Sequence, residues 1–423
     1  VPVAFMGGVT GRLYQQFAVT IAISVILSAF NALSLSPALA ALLLKPRKPS
    51  TGLLGAFNRG FDQTTRGYVS LSGILVRRGW ITVVLLVGFS VAAVMLGSRL
   101  PSGFLPEEDP GYSYVSVQLP PSSSAQRTAE VARKVEERVT HIKGVKYITS
   151  VIGFNLLSTT QTTYNAFFFV SLEPWSSRKD KATAYKAIQG EINKQVGSMP
   201  EAIGFGFSPP AIPGVGTSAG FTFLLEDRSG QDISFLSAQL KTYLDAVKKR
   251  PEIGQISTTF LPSVPQQFVE VDREKTLKQG VAVEDVYRTI QCFMGGVFVN
   301  YFNRFGRQWQ VYVQAEGEYR TDVKKLDQFS VRSNTGQMVS LAGLTHFESR
   351  PGPEFVMHYN LYKCAQLNGS AAPGYSSAQA MKALEEVFRE TMPREMGYDY
   401  MGMSFQEKKA QEGVSAAVIF GLS

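Results

Sequence analysis

The chain has 423 residues, of which 44% are hydrophobic, and its formal net charge is +8. This length predicts two or three domains of about 150 residues each, and the composition argues against both wholesale disorder and a bundle made only of membrane helices. The chain has only two cysteines and three widely separated histidines. It therefore cannot be a disulfide-rich scaffold, and we expect neither a metal site nor a cofactor.

A single basic segment accounts for most of the positive charge. Residues 45–79 hold seven Lys or Arg side chains against one acid, which is +6 of the total +8. Uncharged, mostly apolar runs at 13–44 and 80–98 flank this segment, and about 20 such residues span a bilayer. Because Lys and Arg collect on the cytoplasmic side of membrane helices, residues 45–79 are predicted to form a cytoplasmic amphipathic helix. Residues 1–12 and those after Arg99 are then expected outside, in the periplasm of a Gram-negative host.

The apolar runs contain few polar groups. Pro37 is expected to kink the first run near its cytoplasmic end, and Asn31 either bonds to a packed helix or lines a polar path. Neither run contains Asp, Glu, Lys or Arg, so no proton carrier is predicted within them. A third apolar run begins at Gly413 with about half the length of a span, and the chain does not start with Met. We therefore expect an internal piece of a larger polytopic membrane protein.

Residues 100–405 alternate between strand and helix patterns in an order that occurs twice, β-α-β-β-α-β. The first set has predicted strands at 112–119, 145–152, 164–172 and 203–208, with helices at 125–141 and 179–197. The second set has strands at 221–226, 253–260, 354–366 and 398–403, with helices at 233–249 and 376–391. This order predicts two split-βαβ (ferredoxin-like) units. An insertion near 265–350 in the second unit has its own predicted strands at 308–314, 329–332 and 336–341.

The sequence contains no nucleophile elbow, phosphate-binding loop or zinc spacing, so we do not predict an enzyme. Acids at 107–109 are interpreted as a solvated turn beside the membrane, with catalysis or calcium binding as the alternative. Cys292 and Cys364 either pair in an oxidising compartment or are two free buried thiols; the sequence leaves both open.

Phenylalanine is concentrated in the first unit. Strand alternation places Phe168 on the opposite face from its two neighbours, and it places Phe205 and Phe207 on a common face. Phe154 opens the loop between two predicted strands. These side chains either fill a core or line a cleft that holds apolar molecules without strict hydrogen-bond geometry.

Four stretches of the sequence together resemble one transporter family. They are Phe5-Met-Gly-Gly-Val-Thr-Gly-Arg-Leu-Tyr-Gln-Gln-Phe17 with Ser36-Pro-Ala-Leu39; Leu100-Pro-Ser-Gly-Phe-Leu-Pro-Glu-Glu-Asp109; Gly336-Gln-Met-Val339; and Gly397-Tyr-Asp-Tyr-Met-Gly-Met-Ser-Phe-Gln-Glu407. With them the chain resembles the inner-membrane subunit of RND multidrug efflux pumps, in the AcrB-like hydrophobe/amphiphile efflux branch.

The resemblance implies a fold class: an α+β membrane protein with transmembrane helices, periplasmic split-βαβ porter subdomains and an inserted α+β docking subdomain. The implied divisions are the periplasmic end of helix 5 with its loop at 1–12, helix 6 at 13–44, a cytoplasmic amphipathic helix at 45–79, helix 7 at 80–99, porter subdomain PC1 at 100–217, porter subdomain PC2 at 218–264 and 353–405, docking subdomain DC at 265–352, and the start of helix 8 at 406–423.

The resemblance also implies the activity. Such pumps are homotrimers of the bacterial inner membrane that export hydrophobic and amphiphilic drugs, driven by protons, through a periplasmic adaptor and an outer-membrane channel. The implied substrate-binding residues are Val151, Phe154, Leu156, Phe169, Phe205 and Phe207. Thr149 stands where the family usually has another Phe. Ser257 stands where an Arg is typical and Gly214 and Gln366 where acids are, so the resemblance implies a cleft that is less charged than the family's.

Two other functions stay open at this point. One is a different RND transporter, such as a lipid or hopanoid transporter or an export auxiliary. The other is a periplasmic enzyme or sensor that uses the helices only as an anchor.

Overall fold

A computed structural model describes residues 8–43, 53–99 and 108–410. The predictions for 1–7, 44–52, 100–107 and 411–423 therefore lie outside the described residues, including the third apolar run and Glu107. The chain divides into two compact units, one made of Val1–Thr259 with Met357–Ser423 and the other of Phe260–Val356.

Three helices open the first unit: α1 over Gly8–Leu43, α2 over Leu53–Arg77 and α3 over Gly79–Arg99. Within the described residues, the segment Gln15–Leu43 of α1 is the one helix long and apolar enough to cross a membrane. The α2 and α3 helices meet this criterion only together, as a pair bent by 98°. The described residues thus contain one candidate membrane span, or two if the bent pair of α2 and α3 is counted as a second span. Pro37 lies inside α1.

The remaining elements follow in chain order. They are β1 Tyr112–Gln118, α4 Ala125–Thr140, β2 Val145–Asn155, β3 Thr160–Leu172, α5 Tyr185–Gly197, β4 Ile203–Phe207, β5 Phe221–Asp227, α6 Ile233–Val247, β6 Ile253–Thr258, β7 Val264–Val271, α7 Arg273–Lys278, α8 Val283–Ile290, β8 Val297–Arg304, β9 Arg307–Val313, β10 Ser330–Arg332, β11 Met338–Ser340, β12 Thr345–Gly352, β13 Met357–Tyr359, β14 Tyr362–Ala371, α9 Ser377–Thr391 and β15 Met396–Tyr400. The architecture is mixed α and β.

The two larger sheets of the first unit share one strand order. The first sheet runs β2-β3-β1-β4, and the second runs β6-β14-β5-β15 with β13 also on β14. All the strand pairs described in both sheets are antiparallel. In each sheet the strand that comes first in sequence, β1 or β5, lies in the interior and is followed by a helix, α4 or α6. This helix follows the first strand of each predicted β-α-β-β-α-β set as well.

Local sequence explains where the helices begin. The Ser124 hydroxyl accepts a hydrogen bond from the Arg127 amide at the start of α4, and Ser376 and Gln379 form a capping box at the start of α9. These caps satisfy amide groups that have no partner inside the helix. Along α4, the buried face consists of Thr128, Val131, Ala132, Val135 and Val139, at helical spacing.

One predicted strand differs from the structure. Residues 354–366 were expected to form a single strand, but the chain turns back at Asn360 and Leu361 between β13 and β14. Both residues have positive φ, 47° and 72°, which is the backbone conformation of a tight two-residue hairpin. The sequence has Asn-Leu here where such a turn usually has Asn-Gly. Leucine rarely adopts positive φ, so the sequence did not indicate a turn at this point.

The second unit has a small core of its own. Val271, Val281, Val286, Val331, Leu341 and Leu344 are all buried there. Its strands pair as β7 with β12, β10 with β11, and β8 with β9.

Candidate functional site

The first sheet has two chemically different faces. On one face α4 and α5 cover Val115, Val117 and Phe168, which are at most 1% exposed. Gly204 and Gly206 in β4 allow the close approach of α5, because a Cβ at either position would collide with Val196 or Ile192 respectively. Helices α4 and α5 therefore cover this face, so a ligand of this sheet would bind on the opposite face.

The opposite face is aromatic, and Tyr114 lies at its centre. Register places Tyr114 directly between Phe169 of β3 and Phe207 of β4. The Tyr114 ring meets both edge to face, with centroids 5.5 Å and 5.7 Å away. It also contacts Phe167 at 5.1 Å, so one tyrosine joins the rings of two strands.

Five of the six predicted binding residues lie on or beside this face. Val151 is the cross-strand neighbour of Phe167, and the Phe154 ring lies 6.5 Å from the Phe167 ring. Phe205 and Phe207 contact each other at 5.7 Å, while Phe169 contacts Phe167 at 4.9 Å. Leu156 is different, because it is half-buried in the turn between β2 and β3, outside this group of rings.

The sequence left two interpretations of the phenylalanines open, core residues or the lining of a cleft, and burial differs among them accordingly. Phe167 and Phe168 are fully buried, as core residues are, whereas Phe169 is 41% exposed. Tyr112 and Tyr114 were missed as site residues. Their alternation along the predicted strand at 112–119 was the signal that could have placed them beside the phenylalanines.

The strand residues that register places on this face are uncharged, and the cation recorded beside them is Lys146, whose Nζ lies 5.1 Å from the Tyr147 ring centroid. The face is formed by Tyr112, Tyr114, Ser116, Gln118, Tyr147, Thr149, Val151, Gln161, Thr163, Asn165, Phe167, Phe169, Ser171, Ile203, Phe205 and Phe207. Burial raises the pKa of the Tyr114 hydroxyl, and Tyr112 raises it further, so this phenol stays neutral at physiological pH. The uncharged residues around Tyr114 form a surface that attracts apolar and aromatic molecules.

Neutral polar groups of the second sheet approach the turn after β2. Gln366 donates to Asn368 Oδ1 at 3.0 Å and lies 3.5 Å from the carbonyl oxygen of Leu157. Ser257, on β6, donates to the Asn368 carbonyl at 3.3 Å. Ser257 and Gln366, two of the neutral replacements in the sequence, therefore both bond to Asn368, whereas Gly214 lies exposed in the loop after β4.

The acids and thiols have other roles. Asp109 forms an ion pair with the buried Arg178, so it is not the freely solvated turn residue that the sequence suggested. Cys364 is buried and Cys292 partly so, and both are free. Within residues 8–43, 53–99 and 108–410, no three His, Cys, Asp or Glu side chains are grouped as a metal site would require.

Comparison with known proteins identifies the family. The family model described as the AcrB/AcrD/AcrF family matches residues 1–423. The chain belongs to this family. The resemblance seen in the four sequence stretches is thereby confirmed.

The AcrB/AcrD/AcrF relatives that match are named as efflux or export proteins. They include the antibiotic efflux pump transporter ArpB of Pseudomonas putida at 32% identity and the toluene efflux pump transporter TtgB of the same species at 31%. The multidrug export protein AcrF of Escherichia coli is 34% identical. These matches cover 99–100% of this chain but only 40–41% of each relative. The relatives are transporters and not enzymes, so the prediction of a non-enzyme is confirmed.

Proposed function

We propose that this chain is part of a proton-driven efflux transporter of the bacterial inner membrane that exports hydrophobic and amphiphilic compounds, drugs among them. The observation that carries the proposal is the uncharged aromatic face of the first sheet. Family membership supports the transporter class. The names of the relatives, which refer to efflux of antibiotics, efflux of toluene and export of multiple drugs, support the kind of substrate.

We further propose how the chain is organised in the whole protein. Residues 13–44 and 80–99 cross the membrane, 45–79 lie at its cytoplasmic surface, and 406–423 begin another crossing. The two sheets are the split-βαβ cores of the periplasmic porter subdomains PC1 and PC2, and 265–352 form the docking subdomain. The repeated strand order and the separate compact unit Phe260–Val356 support this division.

The aromatic face is the proposed substrate surface, with Val151, Phe154, Leu156, Phe169, Phe205 and Phe207 as binding residues. Edge-to-face pairs such as Tyr114 with Phe169 leave ring faces that another aromatic molecule can contact. Each such contact contributes about 0.5–1.5 kcal/mol beyond area burial. Because no charge or strict hydrogen-bond geometry selects the ligand, molecules of different shape can bind to the same surface.

The transporter is proposed to act as a homotrimer with a periplasmic adaptor and an outer-membrane channel. These partners come from the family resemblance, and a pump that spans only the inner membrane needs both to move a substrate out of a Gram-negative cell. Purification of the full-length protein followed by mass measurement in detergent tests the trimer: three copies per particle are expected, and a monomer would contradict the assembly.

Efflux itself is tested in a host lacking its own pumps. The full-length gene is expressed with a matching adaptor and channel, and susceptibility to hydrophobic drugs and dye accumulation are measured with protein levels confirmed by blotting. Lower susceptibility and lower dye accumulation are expected. Unchanged values at normal expression would overturn the transporter function.

A further inference from the structure

Two ion pairs lie where the chain passes between the sheets and the helices proposed to enter the membrane. Asp109 follows the end of α3 at Arg99 and precedes the central strand β1. Lys408 lies in the helical residues 403–410, which follow β15 and lead toward the proposed third span. In each case a side chain anchored in the neighbouring sheet layer binds the connecting segment.

The first pair joins Asp109 to Arg178, whose side chain is only 2% exposed. Arg178 Nη1 lies 2.8 Å from Asp109 Oδ2 and Nη2 lies 3.0 Å from Oδ1, a two-point contact. Arg178 Nε also donates to the carbonyl of Glu173, immediately after β3, at 2.7 Å. Trp175 Nε1 donates to the Asp109 carbonyl at 3.3 Å. The end of β3 thus holds both the side chain and the backbone of Asp109, and a two-point contact fixes orientation as well as distance.

The second pair joins Lys408 to Glu385 on α9, the helix that covers the second sheet. The Glu385 side chain is 10% exposed, and its Oε1 lies 2.6 Å from Lys408 Nζ. Tyr400, at the end of β15, donates to the same oxygen at 3.2 Å. Beside this pair, Ser377 at the start of α9 donates to Glu407 at 2.9 Å. The start and the middle of α9 therefore both hold the segment that leaves the sheet.

Stability alone gives a weak reason for these pairs. Buried ion pairs are often no more stabilising than apolar side chains of the same volume, and a better-attested use of them is to fix geometry. An unattached connecting segment can absorb a displacement of the helix by rotating about its own backbone bonds. A segment held at the edge of the sheet cannot, so a movement of the helix reaches the sheet.

We propose that Arg178 and Glu385 are positioning residues of the transport cycle, each holding one sheet to the segment that connects it to a membrane helix. This inference rests on the proposed efflux function. Neither residue lies on the aromatic face, so the two residues should affect the movement that follows substrate binding and leave the binding itself unchanged.

The test uses the full-length protein in proteoliposomes with an imposed proton gradient. Dye binding is measured by fluorescence polarisation, transport by dye movement, and folding by the thermal midpoint in detergent. The variants are Arg178→Gln, Glu385→Gln and the reversed pair Asp109→Arg with Arg178→Asp. The matched control is Arg250→Gln, because Arg250 also binds two carboxylates, on Glu252 and Glu386, but both lie within the layers of the second sheet.

The expected result for Arg178→Gln and Glu385→Gln is a fall in maximal transport rate of about tenfold with the dye Kd changed less than about twofold. The reversed pair should recover much of the rate, and Arg250→Gln should keep it. Variants that fold and transport at the wild-type rate would overturn the inference. If Arg178→Gln does not accumulate as folded protein, the reversed pair Asp109→Arg with Arg178→Asp tests the inference in its place. A reversed pair that folds but transports no dye would also overturn the inference. A wild-type protein that transports no dye would instead overturn the efflux function, and the inference with it.

Discussion

Tyr114 and Phe167 meet edge to face with ring centroids 5.1 Å apart, across the two central strands of the first sheet. Phe167 is fully buried under its neighbours, and Phe169 beside it is 41% exposed. Tyr114 contacts both rings and also Phe207, so it links the rings of this face. We expect substrate binding at the proposed surface to depend on this side chain.

Replacement of Tyr114 by alanine should loosen the aromatic face. Tyr114 is half-buried and contacts the rings of Tyr112, Phe167, Phe169 and Phe207. Loss of these four contacts should cost about 3 kcal/mol, the lower end of the range for a large aromatic residue, so the thermal midpoint of the purified protein should fall. Tyr114→Phe keeps the ring and serves as the control, with a midpoint near the wild-type value. Equal midpoints for the alanine and phenylalanine variants would show that the ring contacts contribute little.

Gly204→Ala should destabilise the first sheet, because the added Cβ would collide with Val196 of α5. Overpacking of this kind costs about 1–3 kcal/mol, measured as a shift in the denaturation midpoint. Gly190→Ala is the matched control, since nothing lies within 4 Å of a Cβ at that helical position and alanine favours helix by about 1 kcal/mol. A destabilised Gly190→Ala together with a neutral Gly204→Ala would contradict the packing.

Acid should weaken the attachment of Asp109. Burial raises the pKa of its carboxyl, but the hydrogen bonds from Arg178 and the Gly111 amide and the charge of Arg178 outweigh burial, and the net pKa is lowered. A lowered folded pKa means that the pair stabilises the protein above the unfolded value of about 3.9 and that this contribution is lost as the pH falls through the folded pKa.

The thermal midpoints of wild type and Asp109→Asn should therefore differ at pH 7 and converge below about pH 4. Glu108→Gln changes the neighbouring exposed carboxylate and should follow the wild-type curve at every pH. A difference between wild type and Asp109→Asn that does not depend on pH would show that the charge of Asp109 is not what stabilises this junction.

The two thiols should react at different rates. Burial and the nearby charge of Glu226 raise the pKa of Cys364 to about 12, and only the thiolate reacts. At pH 8 a maleimide should label Cys292, which is partly exposed, well before Cys364. Mass spectrometry of peptides over time measures both rates, and denaturation should make them equal. Faster labelling of Cys364 in the folded protein would contradict its burial.

Periodicity predicted much of the first sheet because helices cover one of its faces, whereas every residue of β5 in the second sheet is buried. Strand alternation correctly separated Phe168 from Phe167 and Phe169, and the helices predicted at 125–141 and 376–391 begin within one residue of α4 and α9. The hairpin at Asn360 and Leu361 could not be predicted, because tertiary pairing imposes positive φ on a leucine that would otherwise avoid it.

The candidate site was predicted in part for a similar reason. Phenylalanines mark an aromatic surface by composition, but the position of Tyr114 between β3 and β4 depends on strand order, which the residues of β1 do not specify. The ion pair of Asp109 with Arg178 likewise joins residues that are distant in sequence. Local sequence shows an acid in a turn and gives no sign of its partner.

Protection of the aromatic face by a substrate tests the central claim most directly. Phe169→Cys is introduced into full-length protein carrying Cys292→Ser and Cys364→Ala, and maleimide labelling is followed with and without a saturating hydrophobic dye that the transporter exports. Thr242→Cys, on the exposed surface of α6, is the matched control. The dye should slow labelling at position 169 about fivefold or more and leave position 242 unchanged. Equal labelling at position 169 with and without a dye that is still exported would contradict binding at this face.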